Sequence, residues 1–216
     1  MRTISALAAT MITGCTTLIA GCNVITPIAY AIHGPEKIFA LYEPDPDKTT
    51  VIFVDDPSSR LAQRRLRYQI ADDASRRLMA KEVIIDMLDS RPILNAATKE
   101  RHGERTSITE LGRGVGADIV IYAVVTEFSL SQADGTFVPV ANMRVKVIDT
   151  ATGQRVWPES EAGYLLDVRI QQRASIASDT DNGQLAIQAE LAGKTALGLA
   201  QMFYKHELPD TVLNGR

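Results

Sequence analysis

Cysteine is nearly absent from this chain: there are two, Cys15 and Cys22, and none after them. No disulfide framework can staple the remaining length, which has to fold on an apolar core. Histidine is as sparse. His33, His102 and His206 are isolated, and none has a second ligand at metal-binding spacing. A surplus of basic charge is lacking too. The formal net charge of -3 and pI near 5.7 exclude the broad basic footprint of a nucleic-acid binder. No serine sits in a nucleophile elbow. The glycines at 112, 114 and 116 follow a helical segment and precede a strand, the reverse of a phosphate-cradling loop. Low-complexity tracts and repeats at solenoid periods are missing as well. What is present is ordinary globular composition: 216 residues, 45% hydrophobic and 23% charged, enough for one domain with a sizeable core and an N-terminal appendage.

The appendage has its own character. After Met1-Arg2, the stretch from Ile4 to Ala20 is small and apolar with no charge. Thr10, Thr13, Gly14, Thr16 and Thr17 dilute it, and no basic cluster follows to stop transfer, so it reads as a secretory signal over residues 1–21 rather than a membrane span. Ile19-Ala20-Gly21-Cys22 resembles the bacterial lipoprotein box, in which small residues give a processing peptidase access to the bond before cysteine. The resemblance implies that Cys22 is diacylglyceryl-modified, cleaved and often N-acylated with palmitate-type chains, a stable hold on the bilayer. Ile12-Thr13-Gly14-Cys15 fits the same pattern, but its apolar region is only about ten residues long. A Cys15–Cys22 disulfide would close a very short loop inside the segment to be removed. Cys22 is therefore the expected anchor. Loss of Arg2 with the signal would take the formal charge from -3 to -4. Asn23, where better-known sorting systems use aspartate for inner-membrane retention, favours the outer membrane, with the domain in the periplasm.

Residues 22–48 read as a lipidated N-terminus and tether. "VITPIAYAIHGP" is broken by Pro27, Gly34 and Pro35, and "EPDPDK" is stiffened by proline. A single domain is expected over residues 49–208, with a tail at 209–216. Val51 to Val54 form a continuous apolar run, suited to a strand buried on both faces. Leu66, Ile70, Ala74 and Leu78 then recur every four residues, predicting a helix from Arg60 or Leu61 to Lys81. "EVIIDML" suggests a short strand, broken at Arg91-Pro92, with a helical turn over Ile93 to Lys99. Ser107-Ile108-Thr109-Glu110 has capping-box form and opens a short helix.

"ADIVIYAVVTEFSL" predicts the next strand, and Asp134-Gly135 a hairpin turn. In the returning strand, Met143, Val145 and Val147 alternate with Asn142, Arg144 and Lys146, predicting one buried face and one wet one. "QRVWPE" and Tyr164 to Ile170 suggest further strands. Leu185, Ala189, Ala192, Ala196, Leu199 and Phe203 mark a long closing helix. The order is roughly β-α-β-α-β-β-β-α: an α/β (α+β) fold with helices packed on a mixed sheet.

"LGRGVGADIVIYAVVTEF" followed by "RVKVIDTATGQRVW" resembles the core of the periplasmic lipoprotein family that includes the curli-secretion channel lipoprotein. The outer-membrane lipoprotein activators of penicillin-binding proteins and the N-terminal domain of the Tol translocation protein share that fold. The matching features are Gly116-Ala117-Asp118 entering a strand and a hairpin from Val145 to Gly153, over about 100 residues. Ala123 stands where the family commonly has glycine, and no pair of long alternating segments could build a barrel hairpin. The resemblance thus implies a non-catalytic, partner-binding domain on a lipid anchor, acting in envelope assembly or secretion.

Two side-chain groups are candidate sites. Asp55 and Asp56 at a strand end are an acidic pair of the kind that holds Mg²⁺ in phosphoryl transfer, with Asp149 and Lys146 available by residue type. The simpler role for the pair is solvating the turn before Pro57. Arg64, Arg65, Arg67, Arg76 and Arg77 form the densest basic cluster, a candidate contact for a partner or for anionic headgroups. Pairing such as Asp72–Arg76 and Asp73–Arg77 would instead make it a solvated helix face. No cofactor is implied. The expected partners are the bilayer, through acylated Cys22, and an envelope protein; self-association through a sheet edge is a third role.

Overall fold

The structure, a computed structural model, describes residues 37–99, 106–130, 132–133, 136–170 and 181–207. Cys15, Cys22, the signal segment and the 209–216 tail lie outside the described residues, as does the Asp134-Gly135 turn. The chain divides into two compact units. In the smaller, Met1–Ile38 with His206–Arg216, strand β1 (Lys37–Ile38) pairs antiparallel with β10 (His206–Glu207). The larger runs from Phe39 to Lys205, so it begins ten residues before the expected boundary at 49. The reason is packing. The amides of Leu41 and Tyr42 donate to the Met202 carbonyl, and the Tyr42 ring lies 6.0 Å from Trp157 and 6.5 Å from Phe203.

Strand β2 (Thr50–Asp55) forms on the continuous apolar run, and Val51 to Val54 are fully buried. Burial on both faces explains why the run does not alternate, and each such side chain stabilises the fold by about 1.5–3 kcal/mol. It pairs in parallel with β4 (Ile119–Ser129), from Thr50 opposite Ile119 to Asp55 opposite Val124, and with β3 (Met87–Leu88) over its first two residues. β4 runs antiparallel to β7 (Val140–Asp149), and the far edge of β7 is shared by β8 (Arg155–Trp157) and β9 (Tyr164–Arg169). The result is a six-stranded mixed sheet in the order β3-β2-β4-β7-β8, with β9 alongside β7. Two-residue strands β5 (Gln132–Ala133) and β6 (Thr136–Phe137) pair with each other.

One face of this sheet is fully covered. Ile52, Val54, Ile121, Ala123, Met143, Val145, Val147 and Leu166 point into a core closed by α1 (Arg65–Ala80) and α4 (Asp181–Gln201). The predicted α1 stripe is the buried one. The helix starts later than Arg60 because Asp56 accepts the amides of Arg60 and Leu61, holding that stretch in a turn. It stops at Ala80, with Glu82 at φ +54 and the Val83 amide turned back to the Leu78 carbonyl. The expected α4 stripe is buried at Ala192, Ala196, Leu199 and Phe203, with Ala189 half-buried and Leu185 exposed. Ile187, Leu191, Thr195 and Ala200 widen the buried face beyond that stripe.

The other face is only half covered among the described residues. Helices α2 (Arg91–Lys99) and α3 (Ile108–Gly114) pack Ile93, Leu94 and Leu111 on Val51 and Phe53 of β2 and Val120 of β4. Arg91-Pro92 follows the strand and opens α2, so the helical turn expected over Ile93 to Lys99 belongs to a helix that begins two residues earlier; proline suits the first helical turn, where its missing amide hydrogen has no partner to lose. Ser107 caps α3 in the predicted box, its hydroxyl accepting the Glu110 amide while the Glu110 carboxylate accepts the Ser107 amide. After α3, Gly116 takes φ +81 and the Asp118 carboxylate accepts the Thr49 amide. The crowded glycine is Gly112: a Cβ there would lie 2.5 Å from Val120 and 2.7 Å from Thr150.

Candidate functional site

The carboxyl end of β2 carries the two candidate acids, and local geometry gives them separate tasks. Asp56 is buried; its Oδ1 accepts the Arg60 amide at 2.7 Å and its Oδ2 the Leu61 amide at 2.9 Å. That is a turn-closing carboxylate. Asp55 points to the half-covered face. Its Oδ2 accepts the Tyr122 hydroxyl at 3.0 Å, and its Oδ1 faces Arg67 Nη2 at 3.4 Å. Arg67 is 7% exposed, and its Nε donates to the Val54 carbonyl at 2.9 Å. Helix α1 thus sends a cation inward to satisfy the last buried carbonyl of β2.

From Asp55 the sheet register leads outward along one rung: Asp55, Val124, Arg144 and Leu165 stand side by side on β2, β4, β7 and β9. The β7 and β9 part of this face is open among the described residues. Asn142, Arg144 and Lys146 are half-buried, and Leu165, Asp167 and Arg169 are exposed. The Arg144 Nη1 donates to the Gly163 carbonyl at 3.3 Å, and Asn142 Nδ2 donates to Glu127 at 2.8 Å.

Beyond β9 no further strand pairs among the described residues. Its two ends differ. Arg169 grips Asp167 with two donors at 2.9 Å, which holds the Asp167 carboxyl below the usual carboxylate range. Such charge on an edge discourages indiscriminate strand pairing. The other end is apolar. Leu165 is 45% exposed, and Tyr164, 37% exposed, stacks on Trp157 with ring centroids 5.4 Å apart. An open rung of mixed charge beside an apolar edge suits recognition of another polypeptide, by side-chain contact on the face and main-chain pairing at the edge.

No protein-family model matches the sequence. No curated protein matches it either. Solved structures do. The PelC dodecamer from Paraburkholderia phytofirmans is 14% identical, with 76% of this chain and 95% of that one covered and a TM-score of 0.41. The hypothetical protein CT253 from Chlamydia trachomatis is 15% identical, over 72% and 93%, with a TM-score of 0.44. Lipoprotein GNA1162 from Neisseria meningitidis is 12% identical, over 68% and 96%, with a TM-score of 0.41.

The arginine cluster is not one surface. Arg64, Arg65 and Arg77 are exposed, but about 20 Å of helix separates the first from the last. Arg67 faces inward, correcting its assignment to a contact surface: the buried Val54 carbonyl offers it a partner that solvent contact would forfeit. Arg76 bridges both Asp72 and Asp73, taking the acid expected to pair with Arg77. The Mg²⁺ set is not assembled either. Asp55 shares its rung with Arg144, Lys146 lies one rung over opposite Tyr122, and Asp149 sits opposite Ile119 at the other end of β4. Tyr122 is more than a packing residue, since its hydroxyl completes the Asp55 site. Sequence reasoning missed Leu165 and the open edge of β9. Their only signal was two adjacent apolar residues in "YLLDVR", which a half-covered sheet cannot bury on both sides.

Proposed function

We propose that this chain is a lipid-anchored protein of the bacterial cell envelope whose domain binds a protein partner in envelope assembly or secretion, without catalysing a reaction. Cys22 is the acylated residue and the outer membrane the favoured location. The observation that carries the binding role is the half of the sheet left open among the described residues: the Asp55–Val124–Arg144–Leu165 rung ends at an edge that no described strand pairs, with an apolar corner. A face that the described helices leave open, with charges balanced across it, is what a specific polypeptide partner can complete. Asp55 and Asp56, engaged by Arg67, Tyr122 and backbone amides, serve that scaffold and not a metal.

The anchor and the binding face are tested separately. Cys22→Ser should release the protein from membranes or leave it unprocessed, whereas Cys15→Ser should do neither; a free Cys22 thiol in the mature protein, seen by intact mass, would sink the anchor. A photo-crosslinking residue at Leu165 should form an adduct in cells, and one at exposed Asn95 on α2 should not. Leu165→Asp should abolish the co-purifying partner while leaving the melting temperature unchanged. Equal crosslinking at both positions would remove the binding role from this face, and an adduct of twice the chain's mass would identify the partner as a second copy.

A further inference from the structure

Resting on the lipid-anchor reading, we infer that the strap entering the domain at Phe39 to Leu41 docks on the bilayer surface and sets the domain's orientation there. Phe39 is 71% exposed and Leu41 is 45% exposed, while the amides of Leu41 and Tyr42 donate to the Met202 carbonyl. The end of the strap is thus fixed on the domain while two apolar side chains stand in solvent. Cations stand beside them: the Lys205 ammonium lies 4.5 Å from the Phe39 ring centroid, and Lys81 lies 5.9 Å from that of neighbouring Tyr204. Aromatic and aliphatic side chains flanked by lysine are the composition that partitions into the headgroup boundary, rings at the acyl edge and ammonium groups among phosphates.

Two exposed apolar side chains are few for a stable protein interface, which buries roughly 800 Å² per partner. A bilayer makes no such demand of a tethered domain. Phe39 follows Cys22 by at most about 60 Å of extended chain, so acylation holds the strap at a high effective concentration near the membrane. Exposed Glu43 and Glu82 lie close in sequence to Leu41 and Lys81 and offset the charge of the two lysines, so the salt dependence should be weak.

The processed protein offers a clean probe, because no cysteine follows Cys22. Phe39→Cys and, as a control, exposed Val156→Cys are labelled with an environment-sensitive fluorophore, and the acylated proteins are reconstituted into phosphatidylethanolamine–phosphatidylglycerol vesicles. The label at 39 should lose most of its quenching by aqueous iodide and gain quenching by lipid-borne nitroxide, and the label at 156 should do neither. Equal iodide quenching at the two positions overturns docking. Protection of position 39 without vesicles overturns it too, by showing that protein covers the strap.

A second label on Cys22 refutes the anchor and leaves docking to an independent arm. The unacylated chain from Asn23 is floated with the same vesicles, with and without Phe39→Ser/Leu41→Ser. The double variant, its fold checked by melting, should partition about tenfold less, roughly threefold per side chain. Unchanged partition overturns the inference whether or not Cys22 is acylated.

Discussion

Replacing Arg67 by methionine tests how β2 is closed. Methionine keeps most of the stem that packs between α1 and the sheet, so the change removes the guanidinium with little loss of volume. Two interactions go. The Nε bond to the Val54 carbonyl is charge-assisted and buried, worth about 1.5–3 kcal/mol, and its loss leaves an acceptor without a donor. The Asp55 contact, at 3.4 Å with the carboxylate side chain 22% exposed, is worth about 0–1 kcal/mol. The expected destabilisation is about 2–4 kcal/mol, a melting temperature lower by on the order of 10 °C for a domain of this size. A double-mutant cycle with Asp55→Asn separates the terms, and its coupling should stay below about 1 kcal/mol. Thermal and urea melts of the four proteins read the outcome. A drop under about 2 °C, or a coupling above about 2 kcal/mol, would refute the assignment, the first by removing the carbonyl bond's role and the second by giving it to the ion pair.

Gly112→Ala should cost about 1–3 kcal/mol in a urea melt because its Cβ meets Val120 and Thr150, whereas Gly116→Ala should cost about 1 kcal/mol through φ +81 alone; the reverse order would mean that α3 is free to shift. A chain beginning at Phe39 should unfold cooperatively, and one beginning at Thr49, lacking Tyr42 between Trp157 and Phe203, should be about 3–5 kcal/mol less stable; equal midpoints would return residues 39–48 to the tether. The Glu110 carboxyl is held low by the Ser107 amide and then the Ser107 hydroxyl, and that of Asp149 is held low first by the Thr152 amide. Both contribute stability that is complete above their unfolded values, about 4, and is lost as pH falls through the folded ones. Glu110→Gln should therefore flatten the loss of melting temperature between about pH 6 and pH 3, and an unchanged acid limb would count against it.

What could be read in advance was whatever a few neighbouring residues decide. The β2 run, the Leu66-Ile70-Ala74-Leu78 stripe, the Ser107 box and the alternation of Met143, Val145 and Val147 each carry their own reason for forming, and each formed. Arg67 could not be placed this way, because the carbonyl that draws it inward belongs to another element. The α4 stripe held at Ala192, Ala196, Leu199 and Phe203 and failed at Leu185, because the start of the helix stays exposed. The open half of the second face depends on where α2 and α3 lie along the sheet, a property of lateral packing that no local pattern encodes. In sequence Asp55 reads, with Asp56, as solvating a turn, with Mg²⁺ as the alternative; Asp56 closes that turn, while the Arg67 and Tyr122 partners of Asp55 lie on other elements and carry no local signal.

The parallel pairing of β2 with β4 has a consequence for the order in which the chain can assemble. β4 and β7 are joined through a short connection and can zip as a hairpin from nearby residues. β2 is made earlier, yet both its neighbours, β3 and β4, arrive later, and its longer ladder waits for Ile119 onward. Until then only Val51 of the apolar run can have a ladder partner, Leu88 of β3, and Ile52 to Val54 have none, with α1 the nearest surface able to shelter them. Closing that long loop is a slow, non-local event compared with forming the hairpin. A chain entering a compartment from its N-terminus would present this run first and bury it last, so the interval between β2 and β4 is when the protein is most exposed to aggregation and most in need of a holding chaperone.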